Sequence, residues 1–513
     1  MQKGEFVRAS LAVEKGYLRL RVLEPRARNP LVVIWAWEMD YYGIPTLPVA
    51  FEAPSSGIYI AELSVPVMSW SSTVGPFRVQ IDEWLSAAAQ AARRTDLRRD
   101  ARTAWLREHA IPVRSVDPAD EDFSDLAFLR EQLRGARMVL LGDGAASHGG
   151  GSELNAKVRL VKFLHRELGF DVLAFEAGLF GTSIAWRALQ GGVEPQEAFL
   201  KGSFRIFGLS AQVQPLIQYL AAAARSDNPL ELAGFDSQFS GTAGPELLPT
   251  LRKFLAQAGI GSALADSNTT PSRIFAGLLE GRFGRKQMPA AAEQAELVQS
   301  LRSTAEQVEK NVSGRDGLFW AQVLRSAALQ TELALQPGPW DHWGYARARD
   351  RQMAENLLWL TKVYYPDRKI IVWAHTFHVM RNPRYTTLGR EQGFTMGHGV
   401  WEALGEESFV VGVTAYTGAS GCVVCTEGMD GLRQDIIADQ HPSFEFEELM
   451  DAAGHEIAWV NLRSARARRQ WLGGTFAARP VYSATERAPW SELLDALLFI
   501  RTQEPSRKVR DVR

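Results

Sequence analysis

Nine histidines occur in the chain, and three of them stand where an imidazole can do chemistry. His148 follows Leu141-Gly-Asp-Gly-Ala-Ala-Ser and precedes Gly149-Gly-Gly. Glycines let backbone approach a ligand closely, so a histidine in such a loop can reach a substrate. The same letters also read as a flexible strand-to-helix turn with an incidental histidine. His375 and His378 close Trp373-Ala-His-Thr-Phe-His. Neighbouring neutral imidazoles suggest a metal, and a zinc site of His148, a carboxylate and His375 is an open alternative. No HExxH and no second acidic cluster accompanies the pair. Glu176 ends Val172-Leu-Ala-Phe-Glu. A carboxylate closing an apolar strand is costly if buried without partners, which makes it a functional candidate; a surface-loop glutamate is the plain alternative. His398 sits in a Gly-flanked turn, and His109, His165, His342, His441 and His455 lack any partner pattern; these read as structural.

Several segments run apolar and then stop on an ionisable residue: Met138-Val-Leu-Leu-Gly-Asp, Asp171-Val-Leu-Ala-Phe-Glu, Leu232-Ala-Gly-Phe-Asp and Lys369-Ile-Ile-Val-Trp-Ala-His. Helical stretches lie between them. Continuous apolar strands alternating with helices imply a parallel sheet covered on both faces. In such sheets the carboxyl ends of the strands line one crevice, so Asp143, Glu176, Asp236 and His375 are expected to converge. The fold class is therefore α/β: a central, mostly parallel sheet flanked by helices, with a large helical insertion. Ahead of it, residues 1–81 alternate in short β-like stretches such as Tyr17-Leu-Arg-Leu-Arg-Val-Leu, which predicts a small β-domain. An Ala- and Arg-rich stretch over 82–110 predicts a linking helix, and 111–513 forms the main domain, with a helical cap at about 182–340.

The 513 residues carry 57 basic and 59 acidic side chains, for a net charge of -2. That balance gives no general field for nucleic acid or an anionic membrane. No apolar run reaches membrane-spanning length and no apolar leader follows Met1, so the expected location is cytoplasmic. The basic tail Glu504–Arg513 is expected to be solvated. The two cysteines, Cys422 and Cys425, form one CxxC in what reads as a turn entering a strand, with no second pair for zinc. No Gly-x-Ser-x-Gly elbow supports a serine hydrolase with Ser147 or any other serine, and no P-loop lysine follows the Gly149–Gly151 run.

Taken together, the motifs resemble those of the erythromycin esterases. Gly144-Ala-Ala-Ser-His-Gly is similar to that family's Gly-Glu-x-Thr/Ser-His-Gly signature, and Glu153 with Lys157-Val-Arg-Leu to the segment after it. Glu167-Leu-Gly-Phe-Asp-Val-Leu-Ala-Phe-Glu-Ala, Gly234-Phe-Asp, Arg349-Asp-Arg-Gln-Met-Ala-Glu-Asn and Trp373-Ala-His-Thr-Phe-His follow in the family's order, as does Met396-Gly. The resemblance covers about 111–499. It implies hydrolysis of an ester or lactone, as in macrolide antibiotics and resistance to them, with no metal and no cofactor. By position, His148 resembles the general base that activates water, Glu176 its carboxylate partner, and His375 a second catalytic histidine. That second histidine would polarise the carbonyl or protonate the leaving alkoxide. Lys157 and Arg349 resemble cationic residues of the same cleft, and Asp143, Asp236 and His378 are grouped with them as substrate-contacting. Two positions depart from the pattern: Ala145 stands where the family has glutamate, with Asp143 two residues earlier as a substitute, and Thr376 stands where it has asparagine.

Three readings follow: a metal-free ester or lactone hydrolase acting on a small molecule, a metal-dependent hydrolase on the same fold, and a small-molecule-binding protein that has lost turnover through Ala145. The oligomeric state and the role of the N-terminal segment have no signature in the sequence.

Overall fold

The computed structural model describes residues 1–13, 17–25, 30–37, 47–64, 76–145, 148–283, 288–336, 341–421, 423–424, 446–482 and 484–509. Ser147, Cys422, Cys425 and His441 lie outside the described residues.

Six strands come first: β1 (Phe6–Val13), β2 (Tyr17–Leu23), β3 (Pro30–Trp37), β4 (Leu47–Glu52), β5 (Ile60–Ser64) and β6 (Phe77–Leu85). They pair antiparallel into two three-stranded sheets, β4-β1-β6 and β3-β2-β5. Alternation sets which residues meet: Val7, Ala9 and Leu11 from β1 share a small core with Leu18, Leu20 and Val22 from β2. The stretch after them is two helices, Ala87–Arg99 and Ala101–His109. The break falls at Asp100, whose carboxylate caps the second helix by accepting the Arg102 N–H at 2.7 Å. These helices are packed rather than tethering. Leu97 and Leu106 enter the core of the main sheet, and Arg93 grips the Glu448 carboxylate with contacts of 2.6 and 2.8 Å.

The remaining strands are β7 (Ile111–Pro112), β8 (Met138–Asp143), β9 (Phe170–Gly178), β10 (Glu231–Asp236), β11 (Lys369–His375), β12 (Ser408–Gly418), β13 (Ile457–Asn461), β14 (Phe476–Val481), β15 (Ala484–Ala488) and β16 (Ala496–Gln503). Eight of them form one sheet in the order β10-β9-β11-β8-β12-β16-β13-β7. Its first six strands run parallel, and β13 is antiparallel to both β16 and β7. Alternate residues of the central strands feed opposite faces. Met138, Leu140, Val172, Ala174, Ile370 and Val372 enter one core cluster. Val139, Leu141, Leu173, Phe175, Ile371 and Trp373 enter the other. A strand buried on both sides must be apolar at every position, which is why these segments read as unbroken hydrophobic runs.

Two expectations change. The segment 182–340 is not one helical insertion, because β10 passes through it and forms an edge of the sheet. Helices from Leu179 to Ala223 make the β9-to-β10 crossover, and helices from Gly244 to Ala334 build a separate core around Leu251, Leu301 and Leu324. The tail is not free over 504–509: Pro505 and Lys508 make β-bridges to Gly150 and Ser210, and Ser506 is buried.

Candidate active site

The strand order places four ionisable strand ends side by side at the carboxyl edge of the sheet. Asp236, Glu176, His375 and Asp143 come from β10, β9, β11 and β8, which are consecutive neighbours. His375 and Asp143 are direct partners in the parallel register.

Asp143 is buried and is held from two sides. The Lys157 ammonium, on the helix Gly151–Leu168, donates to Oδ1, and His148 donates Nδ1–H to Oδ2 at 2.8 Å. Burial alone would raise its pKa, but Lys157 and His148 outweigh it and hold the carboxyl well below its usual range. Since the ionised Asp143 accepts the bond from Nδ1–H, the lone pair of His148 lies on Nε2. His148 is the most open of the group, with 14% of its side chain exposed. Its backbone adopts φ +53°, a left-handed conformation that costs a non-glycine residue about 1–3 kcal/mol. Phe207 packs against its ring at 4.6 Å, and the His375 ring stands nearly perpendicular at 5.4 Å.

His375 is fixed through both nitrogens. As the N-cap of the short helix Thr376–Val379, its Nδ1 accepts the Phe377 N–H at 3.2 Å, and Nε2–H donates to the Ala145 carbonyl at 3.2 Å. Tyr482 stacks on it at 4.4 Å. Burial pushes its pKa down to about 3, against the pull of Asp143. It is thus a neutral Nε2–H tautomer: a hydrogen-bond donor with no proton to spare.

A second cluster lies beside the first. Arg349, on the helix His342–Trp359, binds Asp236 through two bonds of 3.0 and 2.6 Å and reaches Glu176 at 3.0 Å. Burial would raise the Glu176 pKa, but His378, His148 and Arg349 bring it down to about 2. Glu176 also accepts the His375 backbone N–H at 3.2 Å. His378 points to this side. Its Nδ1 lies 3.0 Å from Asp350 and its Nε2 3.3 Å from the Arg349 guanidinium, and Asp350 raises its pKa against the effect of burial.

At four of the residues singled out from sequence the geometry shows internal partners. The carboxylate within hydrogen-bond distance of His148 is Asp143, whereas Glu176 faces Arg349 and the His375 amide. Lys157 is fully buried, bonded to Asp143 and the Ala374 carbonyl and 4.1 Å from the Trp373 ring centroid, and so supports Asp143. Asp143 and Asp236, about 1% exposed, are likewise spent on internal partners. Sequence reasoning missed Glu153 as a site residue. Its carboxyl sits on the Gly144 and Ala145 amides at 2.8 and 3.0 Å, and burial, reinforced by Asp143, pushes its pKa up to about 8. Glu153 and Asp350 each stood inside a quoted motif without being given a role of their own; Tyr482 had no signal. Among the described residues no group of three or more His, Cys, Asp or Glu side chains is arranged to hold a metal ion.

A profile of the erythromycin esterase family matches residues 165–503, and the chain belongs to that family of hydrolases. The matched span holds Glu176, Asp236, Arg349, His375 and His378, with Asp143, His148 and Lys157 just ahead of it. The chain is 26% identical over 397 residues to the putative hydrolase YbfO of Bacillus subtilis, covering 72% of this chain and 83% of that protein. It is 22% identical over 400 residues to erythromycin esterase type II of Escherichia coli, covering 74% and 94%. A Bacillus cereus protein of known crystal structure shares the fold with a TM-score of 0.62 at 18% identity, covering 81% of this chain and 99% of that one. No helix among the described residues is long and apolar enough to cross a membrane.

Proposed function

We propose that this chain hydrolyses a carboxylic ester or lactone of a small molecule, with His148 as the general base. The observation that carries the reading is the Asp143–His148 pair opposite a neutral His375. Asp143 fixes the His148 tautomer so that Nε2 can take a proton from water. The water oxygen then adds to the carbonyl carbon, and the imidazolium that forms is stabilised by the ionised Asp143. The carbonyl oxygen gathers negative charge and needs a donor already in place. The His375 Nε2–H, now on the Ala145 carbonyl, is that donor. Collapse of the tetrahedral intermediate breaks the acyl–oxygen bond, and His148 Nε2–H returns its proton to the leaving alkoxide, giving an acid and an alcohol. A placed base contributes about 10²–10⁴-fold and an oxyanion donor about 10²–10³-fold. Glu176 and Arg349 hold the floor beneath His375.

Kinship with a protein named for erythromycin supports an ester or lactone as the bond cleaved. Asp143 supplies the carboxylate on His148 although Ala145 replaces the family glutamate, so the departure does not remove the pair. The test is turnover of macrolides and simple esters by the purified protein, with and without chelator, beside His148→Ala. Chelator-resistant hydrolysis that His148→Ala abolishes is expected. Turnover that survives His148→Ala, or that chelator removes, would refute the mechanism.

A further inference from the structure

We infer that residues 503–509 form a strap that positions His148. The inference rests on His148 being the base proposed above. It starts from an imbalance: His148 occupies a strained left-handed conformation beside three consecutive glycines, which cannot enforce it by themselves. Something outside the turn must over-determine its shape.

The strap does so with backbone hydrogen bonds. The Ser506 N–H donates to the Gly149 carbonyl at 2.7 Å, directly after His148, and the Gly421 N–H donates to the same oxygen at 2.8 Å. The Gly151 and Ser152 amides donate to the Glu504 carbonyl at 2.7 and 3.3 Å, and the Glu504 N–H donates back to Ser152 Oγ at 2.9 Å. A β-bridge joins Gly150 to Pro505. The helix Gly151–Leu168, which carries Glu153 and Lys157, therefore begins on the strap.

Its other side grips the segment behind Phe207. The Ala211 N–H donates to the Arg507 carbonyl at 2.7 Å, and the Val509 N–H to the Leu209 carbonyl at 2.8 Å. The Ser210 and Ser506 hydroxyls meet at 2.9 Å. Phe207 lies against the His148 ring at 4.6 Å, so one strand of backbone fixes both the turn before the helix and the ring that backs the imidazole.

Two glycines owe their places to the strap, Gly151 at the end of the run and Gly421. A Cβ at Gly151 would lie 2.6 Å from the Pro505 carbonyl oxygen, and one at Gly421 would lie 2.0 Å from that of Ser506. Both obstacles are backbone, so neither can swing aside. Gly151 and Gly421 keep the groove open for the strap.

The experiment uses the full chain with three substitutions. Ser506→Pro deletes the N–H that holds Gly149, Gly151→Val pushes against Pro505, and Ser506→Ala keeps the backbone bond while losing the hydroxyl. Turnover of the best ester of the panel is measured with amide hydrogen exchange over 148–152, beside His148→Ala. In Ser506→Pro and Gly151→Val, kcat is expected to fall about 10²-fold, the scale of a misplacement near 1 Å. KM should change little, and exchange should quicken in the turn while the rest of the sheet stays protected. Ser506→Ala should keep wild-type kcat. Wild-type kcat in Ser506→Pro and Gly151→Val despite a freed turn would overturn the strap and leave the base assignment standing. An equal loss in Ser506→Ala would overturn it too. Full activity of His148→Ala would remove the base assignment, and the strap's purpose with it.

Discussion

Replacing Asp143 by Asn separates what that carboxylate does for rate from what it does for folding. The Lys157 ammonium points at Oδ1 and needs an acceptor, so the Asn amide must turn its oxygen to Lys157 and its NH₂ to His148. His148 Nδ1 then has to accept, its proton moves to Nε2, and the nitrogen meant to take a proton from water is already occupied. Such an inverted tautomer costs about 10⁴-fold in kcat. Stability falls for a different reason. Breaking a buried pair by removing one partner costs about 3–5 kcal/mol. Here the loss is expected near the lower end, because burial already lowers the Lys157 pKa and lets it shed the unpaired charge. The assay is steady-state ester hydrolysis and thermal unfolding of Asp143→Asn and of Asp143→Asn combined with Lys157→Met. The double variant removes both charges and should recover most of the melting temperature, and with no ammonium to claim the Asn oxygen that oxygen can face His148 Nδ1–H again, so part of the lost kcat should return with it. Wild-type kcat in Asp143→Asn alone would refute the reasoning, since it would make Asp143 a structural anchor with no hold on the tautomer.

Two other outcomes are expected. Arg349→Met leaves Asp236 and Glu176 buried without their cation and should cost about 3–5 kcal/mol in unfolding measurements. Arg349→Lys should rescue little, because a single ammonium cannot reproduce the fork that spans both carboxylates; full stability of the lysine variant would contradict that. Folded Glu153 keeps its proton up to about pH 8, whereas an unperturbed glutamate releases it near 4.5, so its contribution to stability is lost as pH rises between these values. Glu153→Gln should therefore gain stability relative to wild type on going from pH 5 to pH 8, and melting curves that shift in parallel would disprove the assignment.

The sheet and its crevice were legible because the central strands are buried on both faces and so leave a continuous apolar trace. The few ionisable residues that end them stand out against it, as Asp143, Glu176, Asp236 and His375 do. Pairing was harder to read. Glu176 looked like the partner of His148 because both fitted motifs, but the contact to Asp143 depends on a left-handed His148 backbone that no residue type announces. Lys157 looked like a cleft cation because its position matched the family's motif; its burial follows from a helix packed almost all round. The strap was illegible for a related reason. Its bonds run between backbone atoms and glycines, so a basic, Pro-containing tail carries no side-chain trace of where it docks. The passage of β10 between two helical blocks was visible in Gly234-Phe-Asp, yet the abundance of helix around it invited a single cap.

The floor of the crevice also bears on what leaves it. Buried carboxyl groups at Asp143, Glu176, Asp236 and Asp350 outnumber the cations beside them, buried Lys157 and half-buried Arg349, and His378 makes up only part of the difference. In the reaction proposed above an ester enters uncharged and one of its two products is an anion, formed against that surplus of like charge. Hydrolysis would thus carry its own means of ejection: the acid is repelled by the groups that organised its formation, while the alcohol feels no such push. Product inhibition should accordingly be weaker for the acid than for the alcohol of the same ester, and the reverse order would show that the surplus is screened from the bound product.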